Sequence, residues 1–284
     1  MKHRLWAVLR DARYALPGVI EKHVVGPDAA AANRICERLL RNRQAATVGY
    51  FQAAGISADD IVGANLSFAA RLREAGGDAL ISVKAPPLGF DESRMAAIAE
   101  AAEAAGTSLM FDSHAPRDAE RTIEAVERLL PAYPATGLAI PARWSRSTAD
   151  ALRLRESTAR IRIVKGEWPD PEWNGGDIEC AYLALVSSLA GRKGTVAVAT
   201  HKPVLAERAL AILLAAGTHC ELEQLRGLPG RRTTAVARRL GVPVRVYVPF
   251  GPGWWPYVAD KALARPYLPL WFMRDLIGMR DRAG

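Results

Sequence analysis

Eight short apolar runs separated by helical patterns constrain this chain more than any other feature. The runs cover 46–51, 79–83, 108–111, 137–140, 161–164, 195–199, 220–222 and 244–248. Between them, stretches rich in Ala, Leu, Glu and Arg at 57–75, 92–105, 116–130, 147–156, 178–190, 203–215 and 231–240 read as helices. A further helix is expected over 28–43, with Asp28 as its N-cap. Parallel neighbours need a crossover connection, so this alternation predicts a parallel sheet. Eight units in 284 residues fit a single α/β domain, a (β/α)₈ TIM barrel, regular or distorted, better than an open sheet. The expected boundaries are a lead-in over 1–27, with a turn at Pro17-Gly18, and a barrel domain over 28–284. That domain ends in an amphipathic helix from Pro269 to Met279 that carries Trp271 and Phe272.

Composition narrows the function classes. No apolar run approaches the roughly 20 residues of a membrane helix, and the basic start has too short an apolar core for a signal peptide. A cytoplasmic location is expected, at most peripheral to a membrane. The net charge is +8, but the arginines are spread along helices rather than gathered with aromatics, so no nucleic-acid partner is expected. Cys36, Cys180 and Cys220 are dispersed and lack a CxxC pair, which argues against disulfides and structural zinc and for small core residues. His114 and His201 have no second ligand at metal spacing, so no metal is expected.

In barrels the chemistry sits where strands end. Here polar residues mark nearly every exit: Lys84 after 81–83, Asp112 after 109–111, Arg143 after 139–140, Lys165 after 161–164, and Thr200-His201 after 196–199. Glu221 and Glu223 flank Leu222, and Tyr247 lies within 244–248. Lys84 and Asp112 are expected to form an ion pair at neighbouring strand ends. Arg162 and Lys165 differ by an odd number of positions, so they cannot both face the lumen. One is expected in the bowl, and the other on the rim in reach of a phosphate. A cation on a buried strand is costly without an anionic partner. After the eighth run, Tyr257, Asp260, Lys261 and Ala264 fall on one helical face. No GxGxxG, Walker, GxSxG or HExxH pattern is present.

Four motifs occur in order: Arg162-Ile163-Val164-Lys165-Gly166, Ala199-Thr200-His201, Cys220 through Gly227, and Val244 through Gly251. With Ile81 through Lys84, Phe111-Asp112 and Trp255 through Pro266, this series resembles the proline dehydrogenase family, FAD-dependent (β/α)₈ barrels that oxidise proline to pyrroline-5-carboxylate. The resemblance implies FAD as cofactor and hydride transfer from a carbon next to nitrogen. It implies Arg162 at the flavin ring, with Lys165, Gly166, Glu167, Trp168, Thr200, His201, Lys202 and Glu221 around the cofactor. It places Lys84, Asp112, Leu225, Tyr247, Tyr257, Asp260 and Lys261 around an amine or amino-acid substrate, with Arg162, Asp112 and Lys84 as the catalytic set. A quinone or other acceptor would take the electrons onward.

The chain departs from that family at several positions. Two adjacent arginines that clamp the substrate carboxylate are replaced by Asp260-Lys261, and a Glu one turn on by Ala264. A flavin-bonding Gln aligns near Pro141, and Gly-Ala-Tyr reads Gly166-Glu167-Trp168. A bidentate arginine clamp is not reproduced by one lysine beside an aspartate. The leading expectation is therefore oxidation of the C–N bond of proline or a related amine. The alternative is a barrel of this type that has lost proline oxidation and serves as a binding or regulatory protein or takes a different substrate. A third reading is a lyase or aldolase barrel using Lys84 or Lys165 as a Schiff-base amine.

Overall fold

The structure, a computed structural model, describes residues 28–254. Helix α1 (Ala29–Arg41) leads into β1 (Ala45–Tyr50), followed by α2 (Ala58–Ala75), β2 (Ala79–Val83), α3 (Glu92–Ala104), β3 (Ser108–Phe111), α4 (Ala119–Leu129) and β4 (Gly137–Pro141). Then come α5 (Ser147–Arg153), β5 (Arg160–Val164), α6 (Ile178–Leu189), β6 (Val196–Ala199), α7 (Pro203–Ala215), β7 (Cys220–Leu225), α8 (Arg231–Arg239) and β8 (Val244–Phe250). All eight strands are parallel and close into a barrel in sequence order, with β8 returning to β1. The expected lead-in and C-terminal helix lie outside the described residues.

Local chemistry sets the helix starts. Asp28, Ser57, Asp91 and Asp177 each accept a first-turn N–H, which satisfies donors that the helix itself leaves unpaired. Helix α5 is shorter than the pattern suggested, because Leu154 lends its carbonyl to Arg192 Nη2 at 3.1 Å and to Ser157 Oγ at 2.7 Å. Helix α4 begins with a tighter turn at Pro116–Asp118, in keeping with the fixed φ of proline. The seventh strand runs three residues beyond the expected end, to Leu225: Glu223 finds partners in the lumen, and Gln224 on the opposite face donates to Gly230 O and Thr233 Oγ1 at the start of α8. Helix α6 carries the one correction among the cysteines: Cys180 is exposed in its first turn beside Asp177, whereas Cys36 is buried.

The apolar core lies between strands and helices. Ile161 and Ile163 of β5 join Tyr182, Leu185 and Val186 of α6 there, fully shielded. The period-2 alternation of a strand then sends Arg160 and Arg162 the other way, into the lumen. Most of the site follows from that switch of faces.

Candidate active site

Inside the barrel, residues from non-adjacent strands meet through the lumen. Arg162 (β5) is 3% exposed. Its Nε donates to Glu223 Oε2 (β7) at 2.7 Å, and its Nη1 donates to Asp112 Oδ1, just beyond β3, at 2.7 Å. Asp112 Oδ1 also accepts from Ser82 Oγ (β2) at 2.8 Å, and Oδ2 accepts from Tyr247 Oη (β8) at 2.7 Å. Glu223 Oε1 accepts from Thr47 Oγ1 (β1) at 2.9 Å. The Tyr247 ring lies 5.3 Å from the Arg162 guanidinium, within cation–π range. The expected Lys84–Asp112 pair is present: Nζ lies 3.6 Å from Oδ2 and 4.1 Å from the centre of the Phe51 ring.

Electrostatics gives each group a defined state. Burial pushes the Asp112 carboxyl upward, but Lys84, Arg162 and the Tyr247 and Ser82 hydroxyls outweigh it and hold it below the usual aspartate value. Burial opposes charge on Arg162, yet Glu223 and Asp112 outweigh burial and raise the guanidinium above its ordinary range. Burial, followed by the charge of Asp112, raises the Tyr247 phenol well above its usual value. The result at neutral pH is an anionic Asp112, a cationic Arg162 and a protonated Tyr247 that donates. Lys84 Nζ and Arg162 Nη2 are buried and make no hydrogen bond within the described residues. These are two cationic donors with capacity to spare.

Glu221, expected among the cofactor ligands, lies one pleat repeat below this layer. It accepts from Arg245 Nε at 2.9 Å and Arg160 Nη1 at 2.5 Å, and Arg245 continues to Ala46 O and Asp78 Oδ1, both at 2.7 Å. With Arg245 0% exposed, this is a buried ionic floor near the strand starts, two residues before the Arg162–Glu223 layer on β5 and β7. Of the residues in this layer, Glu223 is marked in the sequence by its place near a strand exit, whereas Thr47 and Ser82 are not. The available signal was alternation: Glu221 and Glu223 share a face with Leu225, so both had to enter the lumen.

The rim places the other candidates. Lys165 is exposed just past β5, and Gly166 has φ +93°. A Cβ on Gly166 would press on Pro141 and Arg143, so only glycine lets this loop lie against the β4 exit. Glu167 is exposed, and its carbonyl accepts from Arg143 Nη1 at 3.4 Å. Trp168 accepts at its carbonyl from Trp144 Nε1 at 3.0 Å, and its ring lies tilted at 4.8 Å from that of His114, which pairs with Asp118. Thr200 Oγ1 accepts from the Lys202 N–H at 3.2 Å, and Lys202 pairs with Glu179. His201 has both ring nitrogens against backbone, Nδ1 with Pro229 O at 2.7 Å and Nε2 with the Leu225 N–H at 3.0 Å. This pattern fits the Nδ1–H tautomer and ties the β6 exit to the β7 exit. Tyr257, Asp260 and Lys261 lie outside the described residues.

No family model matches the chain. Two curated relatives do, each called proline dehydrogenase 1, from Bacillus subtilis subsp. natto and from Bacillus subtilis strain 168. Each is 24% identical in an alignment of 268 positions that covers 86% of this chain and 86% of the relative. Among solved structures, proline utilization A from Bdellovibrio bacteriovorus inactivated by N-propargylglycine matches with a TM-score of 0.75 and 17% identity over 91% of this chain. Proline utilization A from Corynebacterium freiburgense matches with a TM-score of 0.71 and 17% identity over 97% of this chain. The chain spans 34% of each of those two longer proteins, and at such identity they bear on the fold alone. The chain thus combines a closed eight-stranded parallel barrel with sequence similarity, along most of its length, to proline dehydrogenases.

Proposed function

We propose that this protein is a flavin-dependent oxidoreductase of proline dehydrogenase type, acting on the C–N bond of proline or a related amine. The observation that carries the reading is the pair of buried donors without hydrogen-bond partners, Arg162 Nη2 and Lys84 Nζ, in a barrel similar to proline dehydrogenases. Cationic donors of this kind fit the carbonyls and ring nitrogens of a flavin and the carboxylate of an amino acid. When bound, FAD supplies the two-electron acceptor for a hydride leaving a carbon next to nitrogen.

The residues of the chain have separate tasks in this reading. Lys165, the Thr200–Lys202 turn and the loop 166–168 hold the nucleotide on the rim, where a lysine serves as a point charge for phosphate. Arg162, fixed by two carboxylates, presents a donor that needs no reorganisation when charge develops. Lys84, Asp112, Leu225 and Tyr247 border the substrate, together with Tyr257, Asp260 and Lys261. Tyr247 keeps its proton on Oη and holds Asp112 anionic, so the pocket offers a negative group near a positively charged amine. The electron acceptor is a quinone or another small oxidant, and the proposed location is the cytoplasm, at most peripheral to a membrane. No helix of the described residues is long and apolar enough to cross a membrane.

The test is an absorbance spectrum of the purified protein with and without added FAD, followed by anaerobic bleaching with proline and a panel of cyclic and acyclic amines. Flavin bands that bleach with one of these substrates are expected. A protein that takes up no FAD would overturn the reading and leave the non-catalytic alternative.

A further inference from the structure

Arg162 has five N–H donors in a planar fork, and the structure uses them unevenly. Nε donates to Glu223 Oε2 and Nη1 to Asp112 Oδ1, while Nη2 is buried with no hydrogen-bond partner among the described residues. Nε and Nη2 share one edge of the fork, the edge that a carboxylate takes through both oxygens when it binds in two-point fashion. Glu223 sits at that edge and engages it through one oxygen. Its other oxygen, Oε1, is held by the hydroxyl of Thr47 at 2.9 Å. Thr47 is 0% exposed and stands on β1, separated from β7 by β8, so this bond crosses the lumen.

An unpaired buried N–H is unfavourable, and a carboxylate already bonded to Nε has the means to relieve it by a small rotation. The bond to Thr47 opposes that rotation, and Glu223 itself is buried. We infer that Thr47 is a positioning residue: by holding Oε1 of Glu223 it keeps this carboxylate on a single nitrogen of Arg162 and reserves Nη2 for a hydrogen-bond acceptor on the bound cofactor. The identity of that acceptor as a flavin carbonyl or ring nitrogen rests on the reading proposed above. The arrangement itself does not.

The experiment compares the full chain with Thr47→Val and Thr47→Ser, measuring the melting temperature of the flavin-free proteins and the dissociation constant for FAD by absorbance titration. In Thr47→Val, Glu223 turns onto Nη2 as well. The flavin-free protein therefore melts no lower than the wild type, and its FAD dissociation constant rises at least tenfold. Thr47→Ser keeps the hydroxyl and retains both wild-type values. A purely structural hydrogen bond predicts the opposite pair of results. A lower melting temperature for flavin-free Thr47→Val overturns the inference, and so does unchanged FAD affinity in that variant. A wild type that takes up no FAD overturns the flavin reading alone, and the melting temperatures then decide the role of Thr47.

Discussion

Tyr247 on β8 donates its phenolic proton to Asp112 Oδ2 at 2.7 Å, joining β8 to the exit of β3 through the barrel lumen. The ring reaches that position by passing over Gly49 of β1, where a Cβ would overlap the Tyr247 hydroxyl. The backbone of one strand therefore leaves room for the side chain of its neighbour, and the hydroxyl helps set the charge state of a third strand's aspartate.

Gly49→Ala is expected to displace Tyr247 from Asp112. Overpacking of this kind costs about 1–3 kcal/mol, measurable by denaturant unfolding, and turnover of the proposed amine substrate should fall with it. Wild-type stability and turnover in Gly49→Ala would show that the tyrosine has somewhere else to go.

Tyr247→Phe removes one donor from a buried carboxylate without changing the packing of the ring. A hydrogen bond to a charged group is worth about 1.5–3 kcal/mol, so a stability loss in that range is expected. The Asp112 carboxyl should also titrate at higher pH than in the wild type, followed by NMR of the labelled side chain.

Acid sensitivity follows from Asp112. Its folded-state value is held below the unfolded one, so the unfolded chain binds its proton first as pH falls. The stability that Asp112 contributes is present above the unfolded aspartate value of about 3.9 and is lost as pH drops through the lower, folded value. Asp112→Asn should accordingly be less stable than wild type at pH 7, with the gap closing as both are taken to strongly acidic pH. A gap that does not shrink would assign the effect to packing rather than charge.

Glu221 and Glu223 separate floor from site. Removing either by substitution to Ala takes one of two carboxylates from a buried guanidinium, breaking a buried pair at a cost of about 3–5 kcal/mol each. Glu221→Ala should keep the FAD affinity of its folded fraction, because its partners are Arg160 and Arg245. Glu223→Ala should lose affinity, because Arg162 is freed to move. Equal loss of FAD binding in both variants would show that the two layers act as one unit.

Much of this fold is written in local pattern. Runs such as 79–83 and 108–111 coincide with strands because β-branched and apolar side chains suit a pleated, buried surface, and helix starts at Asp28 and Asp177 follow from capping. The site was only partly legible. Lys84 beside Asp112 could be expected from two neighbouring strand exits, yet the 135-residue reach from Asp112 to Tyr247 and the 176-residue reach from Thr47 to Glu223 have no local signature. His201 reads as a candidate ligand in sequence, and in the fold its ring nitrogens contact backbone at Pro229 and Leu225.

By itself, the sequence determined the eight-fold alternation, the closed parallel barrel it builds and the polar character of the strand exits, because periodicity and capping act within a few residues of each other. Tertiary structure alone decided which of Glu221 and Glu223 meets Arg162, and which nitrogen of that arginine is left over. Those outcomes depend on the register and stagger of strands around a closed barrel, a geometry settled only when β8 pairs with β1.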